Sequence, residues 1–482
     1  MNSEIPNFQP LAPEIFLMSM ACIILMVTAF SNERRQAISY WLTQATLVVA
    51  AWLTLKGSTG STVYTFHNMF VQDAMADILK LAMYGILLVV FIYSRSYLKD
   101  RNMFRGEYFV LALFGLVGMM VMVSAASMLT IYLGLELLSL SLYAMVALNR
   151  DSLRSTEAAM KYFILGAIAS GMLLYGISMI YGITGTLDLQ QIKATIPNLG
   201  PDNLILVFGL VFIVVGIAFK LGAVPFHMWI PDVYDGAPTA VVTYISSAPK
   251  LAAFAMVMRV LVGGLEPLFQ SWQEMLIILA ILSMALGNIV AIAQTSLKRM
   301  LAYSAISHMG FFLLGIISNS TNGFGSAMFY VLVYTVMSMG IFGMLTLMSN
   351  KGVEVENIDD MQGLSQKHPW LAFLMLVFMF SMAGVPPTLG FYAKLLVIQS
   401  VVETGMVWLA IVSVLMAVIG AFYYLRIVKV MYFDAPAEGG QEIQVSPGEL
   451  GLVSVNALSL IAMLFFVGWL IEVCNRAIGG LL

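Results

Sequence analysis

Residues 216–238 read GIAFKLGAVPFHMWIPDVYDGAP, and residues 379–396 read MFSMAGVPPTLGFYAKLL. Both sit in apolar runs of membrane-crossing length, and both are cut by helix-breaking residues. The first carries Gly222, Pro225 and Pro231; the second carries Gly384, Pro386, Pro387 and Gly390. Proline removes a backbone donor and clashes with the preceding turn, so neither run continues as one straight helix. Broken backbone at membrane depth is tolerated only where it is buried in protein or lines a water-filled cavity. A short match links the two, GAVP at 222–225 with AGVP at 383–386, an offset of 161 residues. Counted in helices the offset is five, and an odd offset turns the second unit upside-down relative to the first. Interrupted helices at matching positions of two inverted repeats point to a translocation site.

Composition fits a protein that lives in lipid. Of 482 residues, 60% are hydrophobic and 10% charged, against about 45–50% and about 25% in an ordinary soluble domain. A net charge of −3 from 23 basic and 26 acidic residues offers no basic face for nucleic acid. Cys22 and Cys474 are far apart in sequence and cannot supply a zinc or iron–sulfur site on their own. Neither GxGxxG nor GxxxxGK[ST] occurs, so the common nucleotide-binding loops are missing. The expectation is an all-α polytopic membrane protein without a redox centre of its own.

A bilayer-crossing helix needs about 20 mostly apolar residues. That ruler gives spans near 11–30, 38–55, 74–94, 106–124, 127–147, 157–182 and 204–236, then 240–262, 272–292, 299–317, 325–348, 368–402, 406–432 and 451–473. The total is fourteen, and the seventh and twelfth are too long for single straight helices. The leading segment holds Glu4 and no Lys or Arg, unlike a secretory signal. With the N-terminus outside, the inner loops carry Arg34, Arg35, Arg95, Lys99, Arg101, Arg105, Arg150, Arg154, Lys298, Arg299, Lys351 and Lys367. Arg426 and Lys429 join them near the inner end of span thirteen, while the outer segments hold Lys56, Lys193 and Arg476. This asymmetry places both termini outside. The acidic run Glu354, Glu356, Asp359 and Asp360 reads as solvated inner-loop surface.

Six basic residues remain within spans: Lys80, Lys161, Lys220, Lys250, Arg259 and Lys394. Lys80 and Arg259 lie near outer span ends and read as anchors that snorkel to the headgroups. Lys161, about one turn inside span six, fits either an anchor or a relay member. Lys220, Lys250 and Lys394 lie deep, as does Glu136 in the middle of span five. Each such charge costs at least about 2.5–3.5 kcal/mol to insert, and intramembrane ionisable groups are functional by default. The bland alternative is a static buried ion pair, but one glutamate cannot neutralise three lysines. His227, beside the first break, and His308, on a helix face with Tyr303, Ser304 and Ser307, are either proton relays or hydrogen-bonded packing residues.

These residues resemble the antiporter-like membrane subunits of proton-pumping NADH:quinone oxidoreductase, respiratory complex I. The resemblance rests on LGLELLSL at 133–140, FKLGAVPFHMWIPDVYDGAP at 219–238, SSAPKLAAF at 246–254 and QTSLKRMLAYSAISHMGF at 294–311. It is nearest to the subunit N branch, which has fourteen helices and no long lateral C-terminal helix; here the chain runs nine residues past its last span. The resemblance implies N-terminal helices 1–3 over 1–105, a five-helix repeat (helices 4–8) over 106–262, an inverted repeat (helices 9–13) over 263–432, and a loop with helix 14 over 433–482. It implies that Glu136 and Lys220 form the input-side pair, that Lys250 is the central relay, and that Lys394 serves the outer half-channel. FMN, iron–sulfur clusters and the quinone site would belong to partner subunits, and redox chemistry there would drive proton movement here. The expected setting is a bacterial inner membrane with both termini periplasmic, in contact with other membrane subunits, lipid, protons and water. A subunit of a multi-component sodium/proton antiporter is the alternative within transport, and a passive membrane scaffold the alternative outside it.

Overall fold

The structure is a computed structural model that describes residues 6–30, 36–58, 60–200, 203–349, 354–436 and 446–480. Glu4, Arg34, Arg35 and Lys351 lie outside the described residues. Helices dominate because the apolar runs, denied water at membrane depth, must satisfy every backbone N–H and C=O internally. Thirteen helical stretches are long and apolar enough to cross a membrane. The fourteenth expected span is a pair of 15-residue helices, each too short to be counted alone.

The N-terminal region contains α1 (Ala12–Ala29), α2 (Gln36–Gly57) and α3 (Ala74–Asp100). Between α2 and α3 lies a small hairpin of β1 (Val63–Thr65) and β2 (Phe70–Gln72), antiparallel with Val63 opposite Gln72. Next come α4 (Gly106–Val123), α5 (Met128–Val146) and α6 (Leu153–Thr184), the last capped by the Ser152 side chain. Helices α4 and α5 approach closely at Gly118 and Gly134, where an added Cβ on Gly118 would lie 2.6 Å from the Gly134 carbonyl. Small residues at such crossings are how membrane helices gain packing contact. The short α7 (Leu189–Thr195) covers the outer end.

The first break follows. Helix α8 (Leu204–Leu221) ends at Gly222 (φ 78°), and α9 (Trp229–Gly236) starts seven residues after Gly222. The end is a glycine cap of the Schellman type: Ala223 N–H donates to the Ala218 carbonyl at 2.8 Å. Pro231 lies within the first turn of α9, where its missing donor is tolerated, so it does not contribute to the break. Helices α10 (Thr239–Ile245) and α11 (Ala248–Val257) follow, and a π-helix (Met258–Gly264) completes that crossing. Span eight was expected to be continuous. It is interrupted at Ser246 and Ser247, with Pro249 in the first turn of α11, giving a third break beyond the two expected.

Helices α12 (Phe269–Ile292), α13 (Leu297–Ile317) and α14 (Thr321–Met348) come next, and a single turn α15 (Leu364–Lys367) precedes the second expected break. There α16 (Pro369–Ala383) stops at Gly384 (φ 81°), with Val385 N–H donating to the Phe380 carbonyl at 2.9 Å, and α17 (Leu389–Glu403) resumes. The two left-handed glycines therefore correspond at an offset of 162, not 161. GAVP matches GVPP rather than AGVP, because the helix-ending glycine fixes the register. Helices α18 (Val407–Phe433), α19 (Pro447–Ala462) and α20 (Val467–Gly479) complete the chain. The stretch from α10 into the π-helix, together with α13 and α14, is almost wholly buried, whereas α1, α6, α18 and α19–α20 bury only a minority of their surface. A helix apolar on all sides is either central or lipid-facing, and this fold uses both solutions.

Candidate functional site

The deep lysines gather around the broken helix ends. The last four carbonyls of any helix lack an internal partner, and a cation there is favoured by the helix dipole as well. The end of α8 is met by Lys250, whose Nζ donates to the Leu221 carbonyl at 2.8 Å and stands 5.8 Å from the Trp229 ring. Lys250 is only 2% exposed and lies in the first turn of α11, directly beyond the Ser246–Ser247 interruption. The end of α16 is met in the same way by Lys394, whose Nζ donates to the carbonyls of Met382 (2.9 Å) and Ala383 (3.0 Å) and sits 5.0 Å from the Phe311 ring.

Lys220 is in the last turn of α8 and donates to Ser139 Oγ on α5 at 2.5 Å. Lys220 and Lys250 line one cavity of about 360 Å³, together with Tyr162, Trp229, Leu138 and Pro249. Glu136 is three residues before Ser139, hence on the same face of α5, and its carboxylate accepts from Ser170 Oγ of α6. Glu136 and Lys220 were expected as a direct pair. Among the described residues they form no ion pair: Ser139 and Ser170 each take one charged group, leaving the two a helical turn apart. Glu136 is half-exposed between Leu133 and Leu140, which are 58% and 55% exposed.

Residues 125–420 match the family described as NADH:quinone oxidoreductase/Mrp antiporter, TM. NADH-quinone oxidoreductase subunit N of Thioalkalivibrio sulfidiphilus is 56% identical over 479 residues, covering 99% of this chain and 100% of the relative. Its counterpart in Acidithiobacillus ferrooxidans is 52% identical, with 100% of both covered. The chain belongs to the NADH-quinone oxidoreductase subunit N family. Among solved structures, a chain of respiratory complex I from Thermus thermophilus superimposes with a TM-score of 0.82 at 28% identity, covering 96% of this chain and all of that one. A chain of the Mrp complex from Dietzia reaches 0.86 at 18% identity over 98% of each, a likeness of fold.

The remaining expected residues of this subunit N family chain are distributed unevenly. His308 is buried and fully engaged: Nδ1 bonds the Tyr330 hydroxyl at 2.7 Å and Nε2 the Tyr424 hydroxyl at 3.1 Å, while Tyr424 also bonds Ser304. Tyr303, half-buried, joins none of these bonds. Lys161 is at the surface, with Glu157 and Asp232 each 2.9 Å away. His227 lies in the first break between exposed Pro225 and exposed Met228. Lys80 and Arg259 do not snorkel. Lys80, 1% exposed, pairs with Glu14 at 2.5 Å. Arg259 makes a two-pronged bond to Asp73 (2.6 and 2.9 Å) and donates to the Val123 carbonyl at 3.0 Å. Acids placed within reach on α1 and at the N-cap of α3 make burial cheaper than reaching for headgroups, and no local pattern in the sequence announces such distant partners.

Sequence reading also missed the inner end of α10. Glu354, expected to be solvated, accepts from Tyr97 (3.0 Å), from Lys298 (2.5 Å) and from Thr239. Burial alone would raise its carboxyl, but the Lys298 ammonium, helped by Thr239 and Arg101, brings it down to about 2. A regular spacing of Thr239, Thr243 and Ser247, four residues apart on one helix face, was the available signal.

Proposed function

We propose that this chain is a proton-translocating subunit of the membrane arm of an NADH:quinone oxidoreductase, with Glu136, Lys220, Lys250 and Lys394 as its relay and redox chemistry in other subunits as its energy source. The observation that carries the reading is the single cavity shared by Lys220 and Lys250 at the interruption of α8. Two ammonium-capable groups at membrane depth, opening onto one space beside unpaired carbonyls, can exchange a proton through water, whereas a scaffold gains nothing from them. The membership in the subunit N family supports assigning that movement to complex I. The antiporter alternative has a likeness of fold behind it and no more.

The chemistry follows from charge. A carboxylate nearby favours the ammonium form of a lysine, and a dry setting favours the neutral amine. Separating Glu136 from Lys220 therefore releases a proton towards Lys250, and two charged lysines facing one another bias one to discharge. Moving one charge across costs about 2.3 kcal/mol per 100 mV of membrane potential. That energy comes from outside this chain, from partners that hold the FMN and iron–sulfur clusters. In this reading the membrane is a bacterial inner membrane with both termini periplasmic, and helices α4–α11 and α12–α18 act as two inverted five-span units. The half-exposed Glu136 would be covered by a neighbouring membrane subunit rather than by lipid.

Replacing Lys220 or Glu136 by alanine in the whole complex should abolish proton pumping in vesicles while the subunit still assembles. Full pumping in both variants would refute the assigned roles. Sodium-dependent transport by an assembly lacking flavin and iron–sulfur proteins would instead support the antiporter reading.

A further inference from the structure

We propose that Glu354 is the proton-accepting group at the inner mouth of the path, feeding Lys250 through a ladder of buried hydroxyls on α10; this rests on the relay reading of Lys250 above. A cavity of about 450 Å³ opens on the side of the molecule where basic residues concentrate, and Glu354 and Lys298 line it with Tyr97, Arg154 and Asp235. Glu354 thus touches the only part of this route that water reaches directly from the surface charges Arg154 and Glu356. Its carboxylate accepts from Thr239 Oγ1, and Thr239 opens α10 with no exposure to solvent.

From Thr239 the hydroxyls climb one turn at a time. Thr243 Oγ1 bonds the Thr239 carbonyl at 2.8 Å and stands 3.4 Å from Thr346 Oγ1. Ser247 Oγ bonds the Thr243 carbonyl at 2.7 Å, and Ser246 Oγ shares that acceptor at 3.4 Å. The Lys250 N–H then bonds the Ser247 carbonyl at 3.0 Å, at the break between α10 and α11. All four hydroxyl residues of this stripe are completely buried. The distance from Thr239 to Lys250 is eleven residues, about 16 Å at helical rise. A hydroxyl both donates and accepts, so each rung can pass a proton by accepting one and releasing another. An apolar stripe would have packed a central helix at no loss; four buried hydroxyls ending at an interrupted backbone and a lysine have a different use.

The step balances as a proton transfer. The Glu354 carboxylate takes a proton from water in the inner cavity and becomes a neutral acid beside the Lys298 ammonium. It passes that proton through Thr239, Thr243 and Ser247 to the neutral amine of Lys250, and returns to the carboxylate. Arg101 and Lys298 hold the resting negative charge, and Tyr97 fixes the carboxylate orientation.

The test is proton translocation per NADH oxidised, in vesicles carrying the whole complex, with NADH oxidation by an artificial acceptor as the check on assembly. E354Q and T243V should each lower the ratio at least about tenfold, a modest share of what a positioned proton-transfer group contributes, and T243S should keep it. The double variant E354Q with K298M separates relay from counter-ion, because it removes both charges and leaves no lysine buried alone. A ratio that stays low in the double variant supports the relay. A wild-type ratio in the double variant, in E354Q or in T243V overturns it. K250M reports on the underlying reading: wild-type pumping there would remove the relay itself, whereas loss in K250M with normal pumping in the Glu354 and Thr243 variants would overturn the ladder alone.

Discussion

At the scale of single residues, the buried ion pairs outside the path differ in kind from the relay lysines. Arg259 and Asp73 satisfy one another through two bonds, with Val123 and the Ala76 N–H taking what is left. Breaking such a pair leaves an uncompensated buried charge, which costs about 3–5 kcal/mol. Asp73→Asn should therefore lower the thermal stability of the assembled subunit markedly, and adding Arg259→Met should recover much of it, as thermal denaturation of the purified complex would reveal. Glu354 makes a prediction in pH. Its carboxyl sits near 2 in the folded chain against 4.5 ordinarily. Its contribution is complete above that ordinary value and is lost as pH falls through about 2. Acid titration of stability should lose that portion of its slope in Glu354→Gln. The relay lysines, by contrast, hold carbonyls rather than carboxylates, so neutralising them strands no opposite charge.

At the scale of elements, the two glycine-ended half-helices decide where lysines can sit. Gly384 holds φ 81°, and a Cβ there would come within 2.8 Å of the Lys394 side chain. A left-handed non-glycine residue costs about 1–2 kcal/mol, and the added methyl would push Lys394 from the Met382 and Ala383 carbonyls. Gly384→Ala should reduce pumping while assembly survives. Gly451→Ala, in open space on α19, should leave both unchanged; equal pumping losses in the two variants would contradict this account. The breaks at Gly222 and Gly384 were legible from sequence because glycine and proline punctuate a helix by their own chemistry. The interruption at Ser246–Ser247 was not. Serine is only mildly unfavourable within a helix, so its effect there depends on the packing of α10 against α14 and α3 rather than on a local signal.

At the scale of the molecule, count, length and polarity of the helices followed from composition alone, and so did the depth of Glu136, Lys220, Lys250 and Lys394. What the chain could not announce was pairing across long sequence separations: Glu14 with Lys80, Asp73 with Arg259, Glu354 with Lys298. A linear pattern carries periodicity, whereas these contacts are made by helices that meet only after folding. The membrane-facing surface adds a prediction of its own. A carboxylate at bilayer depth does not face lipid without penalty, so the flank of α5 around Glu136 should be covered in the assembly. Cysteines placed at Leu133 or Leu140 should crosslink to a neighbouring membrane subunit, and labelling by a lipid-soluble maleimide instead would contradict that.

Lys250 and Lys394 each grip the last carbonyls of a severed half-helix. An ammonium holds such oxygens far more firmly than an amine does. Occupancy of either site is therefore written into the polarisation of two or three specific peptide groups. Isotope-edited infrared difference spectra of the amide band, with carbon-13 at Leu221 or Ala383, would follow each charging event as a frequency shift, turning the backbone into the gauge of its own cargo.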